Sequence, residues 1–141
     1  MEPSPPAADA VRPQALIAAA LAAREVAYAP YSRFQVGAAL ECEGEIIEGC
    51  NVENASYGLC VCAERHAAIK AVGAGRRAWT ALAVATDTSP PSPPCGLCLQ
   101  TLAEFVDDLP IWLVNPQGEA VQTSLRALFP VRFDKGSLDD R

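Results

Sequence analysis

The sequence predicts an α/β fold of three layers, α/β/α, in which one mixed five-stranded sheet is covered by helices. Three observations predict it. Apolar residues recur at helical spacing in three stretches, strand-like apolar runs alternate with those stretches, and Pro-, Gly-, Asn- and Asp-containing segments punctuate them. With 141 residues, half of them apolar, the chain suits one compact unit. We expect a single domain over residues 13–141, behind a Pro/Ala-rich disordered tail at 1–12.

Pro13 can open a helix, because the first helical position needs no amide donor. Leu16, Ile17, Leu21 and Val26 then give an apolar stripe on an Ala-rich helix that ends before Pro30. Phe34 to Glu41 reads as a strand, Glu43-Gly44 as a turn, and Glu45 to Asn51 as the returning strand of a hairpin. Asn54 to Val61 mixes turn formers with apolar residues and reads as a loop. Helical spacing resumes from Cys62 through Ala68, Ile69 and Val72 and stops at Gly73 and Gly75. Trp79 to Thr86 is continuously apolar, as a buried central strand requires. A proline-rich loop, Thr88 to Pro94, leads into a helix over Cys95 to Val106, striped by Leu99, Leu102, Phe105 and Val106. Ile111 to Val114 and Glu119 to Thr123 are the last two strands, joined by a turn at Asn115-Pro116-Gln117-Gly118. Ser124 caps a short turn through Leu128.

Composition excludes several classes of function. No apolar run approaches a membrane span, and the first dozen residues lack the basic-then-apolar pattern of an export signal. A cytoplasmic setting is therefore expected, in which six cysteines are reduced thiols or metal ligands. A formal charge of −6, with only Arg76 and Arg77 adjacent among the basic residues, argues against a polynucleotide partner. A small-molecule substrate fits better.

The chemistry concentrates in Cys62 and Glu64 of C-A-E-R and in Cys95 and Cys98 of P-P-C-G-L-C. Three thiolates fill three corners of a zinc tetrahedron and leave the fourth for water, whose pKa then falls from near 16 to about 7. Glu64, two residues from the first ligand, can stand beside that water as a proton shuttle without binding the metal. Cys95 and Cys98 share a helix face, and helix starts favour thiolates over thiols. Three thiolates on zinc leave a net charge of −1, which Arg65 is placed to offset by hydrogen bonds to the sulfurs. A cysteine or histidine before x-E, followed by P-C-x-x-C, is the layout of zinc deaminases that hydrolyse an amine from a base ring.

Four blocks carry a more specific resemblance: P-Y-S-R-F-Q-V-G-A-A-L at Pro30 to Leu40, N-V-E-N-A-S-Y-G-L at Asn51 to Leu59, C-A-E-R at Cys62 to Arg65, and P-C-G-L-C-L-Q at Pro94 to Gln100. In this order the chain, from about Pro30 to Phe133, resembles the small homotetrameric cytidine deaminases. The resemblance implies one zinc ion per chain on Cys62, Cys95 and Cys98, with Glu64 as the catalytic shuttle. It implies further that Asn51 and Glu53 hydrogen-bond the ribose and that Phe34 packs on the pyrimidine. The Ala55 backbone and the Ala63 amide would contact the base, and Tyr57 and Phe133 would reach a neighbouring subunit's site. The implied reaction converts cytidine and deoxycytidine to uridine and deoxyuridine with release of ammonia. Leu99 departs from the family, which commonly has Arg there.

Two other readings remain open at the level of sequence. Cys60 could complete a closed four-cysteine structural zinc site, leaving a binding domain without catalysis. A modified cytosine nucleoside could replace cytidine as substrate. Cys42, Cys50 and Cys60 have no partner pattern and read as inert thiols, and His66 receives no role. Trp79 and Trp112 read as core or sheet edge.

Overall fold

The computed structural model describes residues 12–139, so the expected tail lies outside the described residues except for Arg12. The elements run α1 (Gln14–Arg24), β1 (Gly37–Cys42), β2 (Glu45–Cys50), α2 (Ala63–Gly73), β3 (Trp79–Ala85), α3 (Gly96–Phe105), β4 (Pro110–Val114), β5 (Ala120–Ser124) and α4 (Leu125–Leu128). Short 3-10 turns occupy Tyr57–Leu59 and Lys135–Leu138. The strands form one sheet in the order β2-β1-β3-β4-β5, in which only β3 and β4 pair in parallel. The chain makes that parallel step through a helix, α3, as a parallel connection requires.

Alternation along the strands builds the layers. Leu40 and Cys42 of β1, Leu82 and Val84 of β3, and Ile111 and Leu113 of β4 face one side. There they meet Ala63, Ala67, Ala68 and Ala71 of α2, Leu102 of α3 and Leu125 of α4. The intervening residues Ala39, Ala83, Ala85, Trp112 and Val114 face the other side and pack on Leu16 and Ala20 of α1. Each fully buried Leu or Ile contributes about 1.5–3 kcal/mol relative to exposure. Both tryptophans lie in this interior, Trp79 at 6% and Trp112 at 5% exposed. No helix among the described residues is long and apolar enough to cross a membrane.

The structure departs from the sequence expectations at element ends. Helix α1 stops at Arg24, and Val26, expected on its apolar stripe, is 74% exposed. Beyond it Tyr28 is drawn into a bridge with Val52, its amide donating to the Asn51 carbonyl at 3.0 Å, so the chain must leave the helix to arrive there. Strand β1 begins at Gly37 and not at Phe34, because the Asn51 side chain occupies the backbone that a strand neighbour would use. Its Oδ1 accepts from the Val36 amide at 2.8 Å and its Nδ2 donates to the Phe34 carbonyl at 2.7 Å. The hairpin turns at Glu43 (φ 52°) and Gly44 (φ 81°), the paired positive angles of a tight β-turn. Ser124 caps α4 as expected, its Oγ accepting from the Ala127 amide at 3.1 Å.

Candidate active site

Helices α2 and α3 begin side by side over one end of the sheet, and each begins with a cysteine. Cys62 is the residue preceding α2 and Cys95 the residue preceding α3, both with extended backbone and neither using its side chain to cap the helix. Cys98 follows in the first turn of α3 and is buried. The sulfurs converge: Cys62 Sγ lies 3.8 Å from Cys95 Sγ, and Cys95 Sγ lies 3.6 Å from Cys98 Sγ. All three lie within 4.8 Å of one another, the one such group of metal-ligating side chains among the described residues.

Zinc fits this group on two grounds. A tetrahedral ion about 2.3 Å from each of three sulfurs sets those sulfurs about 3.8 Å apart, close to the 3.8 and 3.6 Å that separate Cys95 from its two partners. Charge points the same way. A hydrogen bond from Cys98 lowers the Cys62 thiol to about 5, assisted by Arg65 and Cys95. The same hydrogen bond, burial and the neighbouring negative charges push Cys98 far upward. Cys62 therefore ionises readily, whereas Cys98 resists ionising unless a cation sits among the sulfurs. Cys60 stays out of the group, its sulfur 3.3 Å from the Asn54 amide instead. The closed four-cysteine site therefore does not form.

The remaining residues of C-A-E-R surround the cluster. Arg65 Nη2 donates to the Cys60 carbonyl at 3.1 Å and reaches Cys62 Sγ at 3.9 Å, the contact expected of a charge compensator. Glu64 is only 5% exposed, yet its residue lines the cleft in front of the sulfurs. Burial, with the Cys62 charge adding to it, pushes its carboxyl up to about 7. A carboxyl that titrates near neutrality can both take and give a proton there.

The cleft encloses about 250 Å³ and brings together most of the residues singled out from the sequence. Phe34, Asn51, Glu53, Cys62, Ala63, Glu64 and Cys95 line it, with Phe34 37% exposed at its side. Glu53 is held in place by the segment preceding Phe34. Its Oε1 accepts from the Tyr31 amide at 2.9 Å and the Ser32 amide at 3.1 Å, and its Oε2 accepts from the Ser32 hydroxyl. Those bonds, the Ser32 hydroxyl foremost, hold the carboxyl below its usual range. Ala55, Tyr57 and Phe133 are not brought to the cleft. Tyr57 is 74% and Phe133 64% exposed, and Ala55 is also on the surface. Leu99 packs partly against the main core.

The structure adds lining residues that the sequence did not single out. Thr86, at the end of β3, accepts from the Ser92 amide at 3.0 Å through Oγ1, folding the proline-rich loop so that Ser92 and Pro93 wall the cleft. Nothing periodic marks such a loop, so no signal in the chain located them. Ser32 was legible in principle, as the one aliphatic hydroxyl in P-Y-S-R-F.

Comparison with known proteins agrees with this geometry. Residues 11–112 match the sequence model of the cytidine and deoxycytidylate deaminase zinc-binding region. A cytidine deaminase of Halalkalibacterium halodurans is 50% identical over 129 residues, covering 90% of this chain and 98% of that protein. One from Sporosarcina psychrophila is 49% identical over 125 residues, 87% of this chain and 92% of the other. The crystal structure of a cytidine deaminase from Burkholderia pseudomallei superposes with a TM-score of 0.83 at 50% identity, covering 87% of this chain and 100% of that one. With the three convergent cysteines, the carboxyl and the first three strands all within residues 11–112, this chain belongs to the cytidine and deoxycytidylate deaminase zinc-binding family.

Proposed function

We propose that this chain catalyses the zinc-dependent hydrolytic deamination of cytidine and deoxycytidine, giving uridine and deoxyuridine and releasing ammonia. The observation that carries the reading is one cleft holding three convergent sulfurs and a buried carboxyl that is not among them. Relatives at 49–50% identity that bear the name cytidine deaminase support it. Cys62, Cys95 and Cys98 would hold the zinc, which when bound supplies the Lewis acidity that makes water a nucleophile at neutral pH.

Glu64 does the proton work. It accepts one proton from water and passes it to the ring nitrogen beside the amine-bearing carbon, then takes the second from the hydroxyl now on that carbon and hands it to the departing amine. Water's oxygen replaces the amine, so cytidine and water become uridine and ammonia. The Ala63 amide, at the positive start of α2, donates to the base carbonyl. Phe34 stacks against the ring, and the Ala55 backbone, outside this chain's own cleft, would meet the base only from a neighbouring subunit. Asn51 and Glu53 take the ribose hydroxyls, and each still has hydrogen-bonding capacity after its contacts within the chain. Arg65 offsets the charge of the sulfurs.

We further infer a single domain over residues 13–141, a cytoplasmic setting, a place in pyrimidine salvage and a homotetramer with sites at subunit interfaces. The exposed Tyr57 and Phe133 support the assembly, since large apolar side chains left in water favour a partner. The test is zinc content per chain, measured beside the ultraviolet loss of cytidine. Glu64→Gln should keep zinc and fold while losing at least about a thousandfold in kcat. Loss of zinc in that variant, or wild-type protein inert toward cytidine, would remove the reading.

A further inference from the structure

Strand β2 is an edge of the sheet, so one side of its backbone lacks a strand partner. Helix α2 supplies one with side chains. His66 and Lys70, one turn apart, reach down to that edge: His66 Nδ1 lies 3.1 Å from the Cys50 amide nitrogen and 3.0 Å from the Cys50 oxygen, and Lys70 Nζ donates to the Glu48 carbonyl at 2.6 Å. An unpaired buried amide is rarer and worse tolerated than an under-used carbonyl. This favours the Nε2–H tautomer, with Nδ1 accepting from the Cys50 N–H. Between the two latched residues, Gly49 lets the helix sit directly on the strand. A methyl group at Gly49 would lie 2.5 Å from the Ala63 oxygen and 2.5 Å from the Ala67 nitrogen.

The two ends of this latch lead to opposite halves of the cleft. Glu64 is two residues before His66 on α2. Asn51 follows Cys50 directly, and its side chain fixes Phe34 and Val36 while its backbone bonds Val36 and Tyr28. We propose that His66 is a positioning residue: its bond to Cys50 sets the register between the shuttle helix and the strand end that grips the substrate. The inference rests on the deaminase reading above, because it assigns Glu64 and Asn51 their roles.

A positioning role predicts a split between kinetic constants. His66→Leu keeps bulk but has no acceptor, so α2 can shift against β2 while Asn51 and Glu53 still grip the sugar. For the zinc-loaded protein acting on cytidine, kcat should fall about tenfold to a hundredfold, with KM within about twofold and one zinc retained per chain. His66→Asn sets an acceptor oxygen where Nδ1 lies and should recover kcat to within about threefold. An unchanged kcat, a loss carried by KM or by zinc content, or equal losses in the Leu and Asn variants would overturn the proposal. Should His66→Leu fail to fold, the wild type decides: the Cys50 amide must resist hydrogen exchange, and exchange at the rate of an open-loop amide would overturn it. A wild type inert toward cytidine removes the functional reading as well, whereas an active enzyme indifferent to His66 removes only this inference.

Discussion

Gly49→Ala tests most directly how the sheet positions the site. The added carbon would stand 2.5 Å from two backbone atoms of α2, the Ala63 oxygen and the Ala67 nitrogen, where ordinary contact begins at 3.4 Å. Neither atom belongs to a flexible side chain. The first turn of α2 must therefore retreat by about 0.9 Å, the difference between those two distances. Overpacking of this kind costs about 1–3 kcal/mol. Alanine recovers roughly 0.5–1 kcal/mol of that by being stiffer than glycine within a strand. We expect a net loss of about 1–2 kcal/mol in urea unfolding of the zinc-loaded protein. The kinetic effect should be larger, because Ala63 and Glu64 travel with the turn, and misplacement by about 1 Å costs on the order of a hundredfold in rate. Gly73→Ala, near the end of the same helix with nothing within 4 Å, is the control and should be neutral or slightly stabilising. Stability within about 0.5 kcal/mol of wild type together with kcat within about twofold in Gly49→Ala would refute the claim that this contact sets the helix.

Three further outcomes follow from the cleft. Cys60→Ser should keep one zinc per chain and near-wild-type turnover, since that sulfur bonds the Asn54 amide and not the cluster; zinc loss by metal analysis would contradict this. Leu99→Arg exchanges a half-buried aliphatic contact for a second cation near the sulfurs, and should lower Tm while raising kcat. An unchanged kcat would mean that Arg65 and the helix ends already offset the charge. Glu53 is held below its ordinary pKa of 4.5 by Ser32, so its ionised form stabilises the folded state above pH 4.5, and that contribution fades as pH falls through the lower, folded value. Ser32→Ala should therefore move the acid rise in KM for cytidine to higher pH; coincident acid limbs would exclude the Ser32 bond as the cause.

What the chain reveals in advance depends on whether the information is local. The alternation that sends Leu82 and Val84 to one face and Ala83 and Ala85 to the other is written in consecutive residues, and so is the turn at Glu43-Gly44. The cysteine spacing is local within each half of the site, and the pairing of both β2 and β3 antiparallel to β1 brings the halves to one end of the sheet. Illegible features are those in which a side chain replaces backbone across a long separation. Phe34 to Val36 reads as strand because it is apolar, but an amide fifteen residues away takes its hydrogen bonds. Ser32 meets Glu53 across 21 residues, and His66 meets Cys50 across 16. Periodicity cannot report such contacts, since neither partner disturbs the pattern around it. The same blindness applies to Thr86 and Ser92, where a loop amide donates to a strand-end hydroxyl and so shapes a wall.

The site also explains where this fold gives up stability. A cysteine stands at the cap position of both α2 and α3, and neither makes the side-chain hydrogen bond that Ser, Thr or Asp would supply there, a bond usually worth about 1 kcal/mol. Ser124, which caps α4 far from the cleft, makes that bond. The contrast places the loss at the two helices whose first turns carry sulfur. Those uncapped ends leave N–H groups and positive potential facing the cluster, which favours negative sulfur. Negative sulfur packed within 4.8 Å then repels itself until a cation joins it. Each unfavourable step is thus the precondition of the next, and zinc relieves all of them together. A serine at position 62 or 95 would cap its helix better and leave the cleft without a metal.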